Sequence, residues 1–494
     1  MKFFYIFILI SLLINFSFQL ENPYKRYFQN LPFNMEEITI PSFQNYTINI
    51  KDFGAIGNGK NLCTNSFENA INHLSEKGGG KLIIPSGVWL TGPIELKSNI
   101  HLHLEYGAII QFSGDDNLYP IIKTSHEGLD NIYRCQSPLS ALNASNISIT
   151  GDGVIDGNGH YWRPISKNSL TSSQWEKVKK RPYGIIISGN YWAPSEGYIL
   201  AEERAKTSPI SQIDDIEELK IYKRYLRPVM VSLRNCKNIL LQGVIFQNSP
   251  NWNLHPLMCE NIIIDNIFVK NPSYAINGDA IDLESCKNAL IINSKFDAGD
   301  DGICLKSGKD KDGRRRNKPC ENIIIDGCKV FAGHGGFVVG SEMSGGIKNI
   351  KVSNCQFLGT DSGLRFKTNR GRGGIVENIY IENITMKDII KKAIILNMYY
   401  SGSGPHKTLN EEYEKLNIIS NKKVDETTPV FRNITIKDVS CNGARQAIEL
   451  AGLPEMPIHD LILKNVYIIA NKGVEFIEIK NIIQENVTII VNKK

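Results

Sequence analysis

Between Asn277 and Lys367 four polar clusters interrupt a run of isoleucine-rich segments: Asn277-Gly278-Asp279, Gly299-Asp300-Asp301, Gly333-His334-Gly335 and Arg365-Phe366-Lys367. Three carboxylates, an imidazole and two cations form a set that can break a glycosidic bond. One carboxylic acid protonates the leaving oxygen while a carboxylate activates water or attacks carbon. Crowding of acids raises one pKa and keeps a proton available near neutral pH. A calcium site is the competing reading of the same acids. Adjacent aspartates alone mean little, and Asp115-Asp116 and Asp214-Asp215 read as solvated turns. Asp300-Asp301 differs in its setting, with a glycine before it, strand-like Ile303-Cys304-Leu305-Lys306 after it, and an acidic turn one interval earlier. His334 lies between glycines, where the chain can turn sharply and an imidazole is poorly placed to pack in a core. Neighbouring carboxylates would favour its charged form, and a structural turn histidine is the alternative. Arg365 and Lys367 are two apart, so on a strand they share a face while Phe366 points inward. Two such cations suit a sugar that carries carboxylates; a solvated strand face is the bland alternative.

For these clusters to meet, the chain must return to one wall at each interval. The repeats supply that return. Asn-Ile or a close variant opens a short apolar run at Asn146, Asn238, Asn261, Asn288, Asn322, Asn349, Asn378 and Asn433, and from Asn238 to Asn378 the offsets are 23, 27, 34, 27 and 29 residues. A period mostly in the twenties, with two or three short strands per repeat, predicts a parallel β-helix. Its asparagines would align as a hydrogen-bonded ladder at one turn. Leucine-rich and ankyrin solenoids need helix in every repeat, and none is evident. A helix is expected over 65–76, where Phe67, Ala70, Ile71 and Leu74 recur at helical spacing before Gly78-Gly79-Gly80, as a cap on the open end of the stack. Two insertions break the period. Residues 158–227 carry Trp162, Trp175, Tyr183, Tyr191 and Trp192, and residues 399–428 interrupt the later repeats. Such excursions either shape a groove or pack against the solenoid.

The rest of the chain reads as address and scaffold. Residues 1–19 have the layout of a secretory signal peptide, with an uncleaved anchor as the alternative. Residues 20–49 form a polar N-terminal extension, and 50–494 one continuous domain. A 42% hydrophobic and 22% charged composition with 41 glycines is globular and rich in turns, and the net charge of +5 is compatible with an anionic partner. Among the ten cysteines, Cys236, Cys259, Cys286, Cys328 and Cys355 occupy similar places in the repeats and read as stacked thiols, while Cys320 and Cys328 form a candidate bridge. No Cys/His spacing resembles a zinc site. The basic run Lys309, Lys311, Arg314, Arg315 and Arg316 reads as a rim for an acidic polymer or as a solvated loop, and it lacks the interleaved aromatics of a nucleic-acid surface.

With these motifs in place, the chain resembles the polygalacturonase family of glycoside hydrolases, family 28. The four clusters occur in the family's order, joined by Arg227-Pro228, Asn248-Ser249-Pro250, Gly340-Ser341-Glu342-Met343-Ser344-Gly345-Gly346 and Gly371-Arg372-Gly373-Gly374. The resemblance implies a right-handed, single-stranded parallel β-helix and a secreted or periplasmic, inverting, cofactor-free hydrolase of pectic polysaccharide. It implies no metal, no nucleic acid and no membrane partner, and a monomer is expected. Carried over by motif, Asp300 is the general acid, Asp279 and Asp301 hold the attacking water, and His334 belongs to the catalytic group. Asn277, Arg365 and Lys367 would bind substrate. Gly278 stands where the family has threonine and Phe366 where it has isoleucine. Together with the Gly-Arg-Gly-Gly stretch, these departures resemble the exo-acting branch. A rhamnogalacturonan hydrolase, a calcium-dependent pectate lyase and a non-catalytic polysaccharide-binding β-helix are the alternatives.

Overall fold

The computed structural model describes residues 22–400 and 422–492, so the leader-like 1–19 and most of the second insertion lie outside the described residues. The chain winds through three stacked sheets in which every neighbour is parallel. The first runs from Thr47–Asn49 through Gly80–Ile84, Ile100–Leu104 and Ser145–Gly151 into the Asn-Ile segments. The second begins at Gly87–Thr91 and Ala108–Phe112. The third begins at Ile94–Leu96, Leu139–Leu142 and Val231–Arg234 and leads to the clusters. β-Branched side chains that alternate inward explain the stacking. Ile147, Ile239, Ile262, Ala289, Ile323, Ile350, Ile379 and Ile434 lie in register and are all buried. Each large member contributes roughly 1.5–3 kcal/mol of burial.

At the head of each of these strands stands the expected asparagine ladder. Each Nδ2 donates to the Oδ1 of the preceding coil, at 2.9 Å from Asn146 to Asn99 and at 3.0–3.2 Å from Asn238 through Asn378. All these asparagines have left-handed backbone, a conformation their short polar side chain tolerates. Asn322 (φ 58) both donates to Asn288 and accepts from Asn349. Asn322→Ala therefore loses two hydrogen bonds and strains the backbone, a cost of roughly 2–4 kcal/mol. Asn322→Gly keeps the backbone relaxed and should cost about half as much. Urea midpoints for the two variants measure this, and equal losses would mean that the left-handed turn contributes nothing.

Helix Thr64–Glu76 covers the N-terminal end through Phe67, Ala70, Ile71 and Leu74. The extension is more than a polar lead-in. Tyr24 and Ile38 pack on Leu240, Ile263, Leu290 and Ile324 along the outer face of the first sheet, and Tyr24 donates to Asp265 at 3.1 Å. In the first insertion Trp162, Trp175 and Trp192 are buried in two small cores of the excursion's own, Trp162 against Tyr119 beside the hairpin and Trp175 with Trp192. A hairpin of Ile121–His126 and Leu129–Cys135 lies on the outer face of the third sheet. All ten cysteines are buried and free, which corrects the candidate Cys320–Cys328 bridge. Those two thiols contact carbonyls of different residues, Leu283 and Ile291. The last strand, Ile479–Val491, pairs on one side with Ile458–Ala470, has no described partner on the other, and exposes Ile483, Ile490 and Val491.

Candidate active site

Four rungs of the third sheet carry the clusters: Ile281–Glu284, Asp301–Lys306, Gly335–Gly340 and Ser362–Lys367. Their register aligns Asp282, Cys304, Val338 and Arg365 on the outer face, with Ile281, Ile303, Phe337 and Leu364 in the core. Main-chain bonds tie the turns together. Gly299 N donates to Gly278 O at 3.0 Å, Ala280 N to Asp301 O at 2.9 Å, and His334 N to Asp300 O at 2.6 Å. Glycine is required where these turns touch. A Cβ on Gly333 (φ 148) would lie 2.7 Å from Asp300 O, and one on Gly278 would lie 2.7 Å from Ala275 O. The second contact explains why the motif has no threonine here.

Each acid has a different environment. Asp301 is buried, with Oδ2 2.5 Å from Lys367 Nζ and Oδ1 3.2 Å from Arg365 Nη1. Burial would push its carboxyl up, but Lys367, Arg365 and Lys306 outweigh it and hold it well below the usual range. Asp300 is more accessible, and its Oδ1 lies 2.9 Å from His334 Nδ1. That bond raises the imidazole pKa against the opposing effect of burial. Asp279 is buried, its Oδ2 is 3.7 Å from Lys306 Nζ, and its Oδ1 has no hydrogen-bond partner among the described residues. Burial, then Asp282 and Asp300, push this carboxyl well up. The predicted cations face the acids, and both also approach the ring of Tyr400, at 5.7 Å for Arg365 and 5.2 Å for Lys367. Phe366 is in the core against Phe337 and Phe431, as expected. Asn277 Oδ1 accepts from Arg227 Nη2 at 2.9 Å, which fixes the amide at the cleft rim.

Donor atoms of Asp300, Asp301 and His334 lie within 4.8 Å of one another, a spacing that an ion could bridge. Both Asp301 oxygens already face cations, so the charge of this group does not suit a divalent ion. The basic run after Lys306 is largely structural. It forms a short helix, Asp310–Arg316, and Arg316 is tied to Glu284 at 2.6 Å and Asp130 at 2.7 Å. Sequence reasoning did not single out Asp282, Lys306, Glu342, Trp252 or Tyr400. Asp282 had one signal: it follows Asp279 by three residues on what becomes the outer face of a strand.

A parallel β-helix with crowded acids on one outer face places the molecule among carbohydrate-active enzymes. Residues 218–488 match the family model described as Glycosyl hydrolases family 28. A probable polygalacturonase of Vitis vinifera is 28% identical over 441 residues, covering 87% of this chain and 76% of that protein. An exo-poly-alpha-D-galacturonosidase of Dickeya chrysanthemi is 29% identical over 416 residues, covering 82% and 64% respectively. The crystal structure of a hyperthermoactive exopolygalacturonase from Thermotoga maritima superposes with a TM-score of 0.71 at 33% identity, covering 91% of this chain and 94% of that one. The chain belongs to glycosyl hydrolases family 28, the polygalacturonase family, and is a glycoside hydrolase.

Proposed function

We propose that the protein is an exo-acting polygalacturonase that hydrolyses α-1,4-galacturonosidic bonds from a chain end with inversion. Asp300 is the general acid: Oδ1 is engaged by His334, which leaves Oδ2 to carry the proton. Asp279 and Asp301 hold the attacking water, with Asp279 Oδ1 as the acceptor that lacks a partner of its own. Arg365, Lys367 and the Asn277 amide face the uronate, Arg365 being the more accessible cation.

Closure of one end of the cleft is the observation that carries chain-end action. The hairpin tip sits on the third sheet at the level of Trp252 and His255, with the His126 ring 4.8 Å from that of Trp252. Lys309 N donates to Gly128 O at 2.8 Å, and Arg316 joins Asp130 of the hairpin to Glu284 of the sheet. A polymer could not continue through this wall. A cavity of about 640 Å³ lies between the hairpin tip and Asn277, lined by Arg134, Tyr198 and Arg227 together with Glu127, Glu202 and Glu203. Export is inferred from residues 1–19, and among the described residues no helix is long and apolar enough to cross a membrane.

Incubation with polygalacturonate in the presence of a chelator tests this reading. The expected result is one short uronide from the first minutes, a slow fall in viscosity and no unsaturated ends. A spread of oligomers with rapid loss of viscosity would make the action internal. Unsaturated products, or activity restored by calcium, would make the protein a lyase.

A further inference from the structure

Lys306 ends the strand Asp301–Lys306, and its side chain rises on the outer face beside Asp279, without a part in the mechanism above. It is buried, with Nζ 3.0 Å from Asp282 Oδ1, 3.6 Å from Glu342 Oε2 and 3.7 Å from Asp279 Oδ2. The fourth side is the face of Trp252, whose centroid is 3.6 Å away. An aromatic face attracts a cation without accepting a full hydrogen bond, so the ammonium protons are left for the carboxylates. Three acids around one ammonium cannot all ionise cheaply in a dry site. Asp282 is fully buried, and neither of its oxygens has a hydrogen-bond partner with good geometry among the described residues. Asp279 and Asp282 therefore compete for one cation.

We propose that Lys306 is a positioning residue for the water-activating side, its ammonium opposing the burial and neighbouring acids that disfavour a charged Asp279, and that Asp282, the nearer carboxylate, is the competitor for that ammonium. The proposal rests on the reading of Asp279 as the base. In the step concerned, an O–H bond of water breaks and its proton goes to Asp279 as the new C1–O bond forms. The bond from C1 to the leaving oxygen breaks, and that oxygen takes the proton of Asp300. A protonated Asp279 cannot accept the first of these protons. The groups facing the pair agree with this role. Burial, Asp282, Asp300 and Asp301 push Asp279 up and Lys306 acts against them. Burial and Asp301 push Asp282 up to about 6 against Lys306 and His255. Glu342 is held below its usual range by Lys306, Lys367 and Arg372 despite its burial, so it stays charged.

The two partners give opposite signatures in the pH profile of kcat/KM. Lys306→Met keeps the length of the stem and removes the charge. It should lower kcat by roughly 100-fold at unchanged KM and move the acid limb up by about one pH unit or more. Lys306→Arg should restore the limb. Asp282→Asn removes the competitor and should move the limb to lower pH, a shift that loss of packing would not produce. If Lys306→Met does not fold, Asp282→Asn decides alone. A limb that is unmoved, or that moves upward in Asp282→Asn, overturns the proposal. So does a KM rise at constant kcat in Lys306→Met, which would make Lys306 a substrate contact. Near-normal turnover by Asp279→Asn would instead remove the underlying assignment of the base, whatever Lys306→Met shows.

Discussion

Asp300→Asn should lower kcat by roughly 10³–10⁴-fold while KM stays within a few fold. Of the three aspartates in the clusters only this one combines access with the absence of a lysine or arginine contact among the described residues. Asp301 is buried between Lys367 and Arg365, and Asp279 is buried beside Lys306. Asp300 contacts His334, itself half exposed, across 2.9 Å. An amide at this position can still accept from the imidazole, so substrate binding is retained while the transferable proton is lost. Asp279 and Asp301 remain to hold water in the variant, but the leaving oxygen must then depart unprotonated. Single-turnover kinetics on a galacturonide, with proton NMR of the first product from the wild type, checks both parts. The wild type should release the inverted anomer. Retained configuration, or turnover by Asp300→Asn within tenfold of wild type, would remove Asp300 from the role of general acid.

Lys367→Ala should show the next largest effect, on stability as well as turnover. Asp301 has 1% of its surface exposed, and the Lys367 ammonium is its shorter contact at 2.5 Å. Breaking a buried pair from one side costs on the order of 3–5 kcal/mol. The pH dependence follows from the sign of the shift. In the wild type the Asp301 carboxyl is held below its unfolded value, so the pair stabilises the fold above about pH 4 and loses this only as pH falls through the lower folded value. Without Lys367, burial opposes ionisation with only Arg365 and Lys306 set against it, so the carboxyl moves up. Stability of the variant then falls as pH rises through that new value. The difference in Tm between wild type and Lys367→Ala should be smallest at the acid end, grow as pH rises from the wild type's depressed Asp301 value to the variant's higher one, and stay constant above that. A difference that is flat with pH would mean that Asp301 and Lys367 are not electrostatically coupled.

The clusters and their common wall were legible because their signals are local. A glycine beside each acid or imidazole marks a turn, and the Asn-Ile spacing counts the coils. The ladder could be read for the same reason, since one residue type recurs at one position per turn. What escaped notice depends on distant partners. Arg316 looked like one of three arginines in a basic rim or solvated loop, yet its partners are 32 and 186 residues away, and the second is what fastens the hairpin over the sheet. Lys306 looked like the polar end of a strand, and nothing near it in sequence announces Trp252 beneath it or Glu342 beside it. The insertion aromatics were ambiguous because hydrophobic bulk alone does not tell packing from a sugar platform. The buried indoles of Trp162, Trp175 and Trp192 decide for packing.

The open edge at Ile479–Val491 bears on how the molecule tolerates heat. In a stack where each coil touches only its neighbours, melting begins at the least supported end and travels inward. Among the described residues the last strand has one neighbour, whereas the N-terminal end has helix Thr64–Glu76 over it. Beyond the Ser362–Lys367 rung the third sheet continues through Lys392–Asn397, Gln446–Ala451 and Val474–Ile477 before that edge is reached. Those coils act as a sacrificial margin: the outermost can unzip and reclose on warming while the acids, several rungs upstream, keep their spacing.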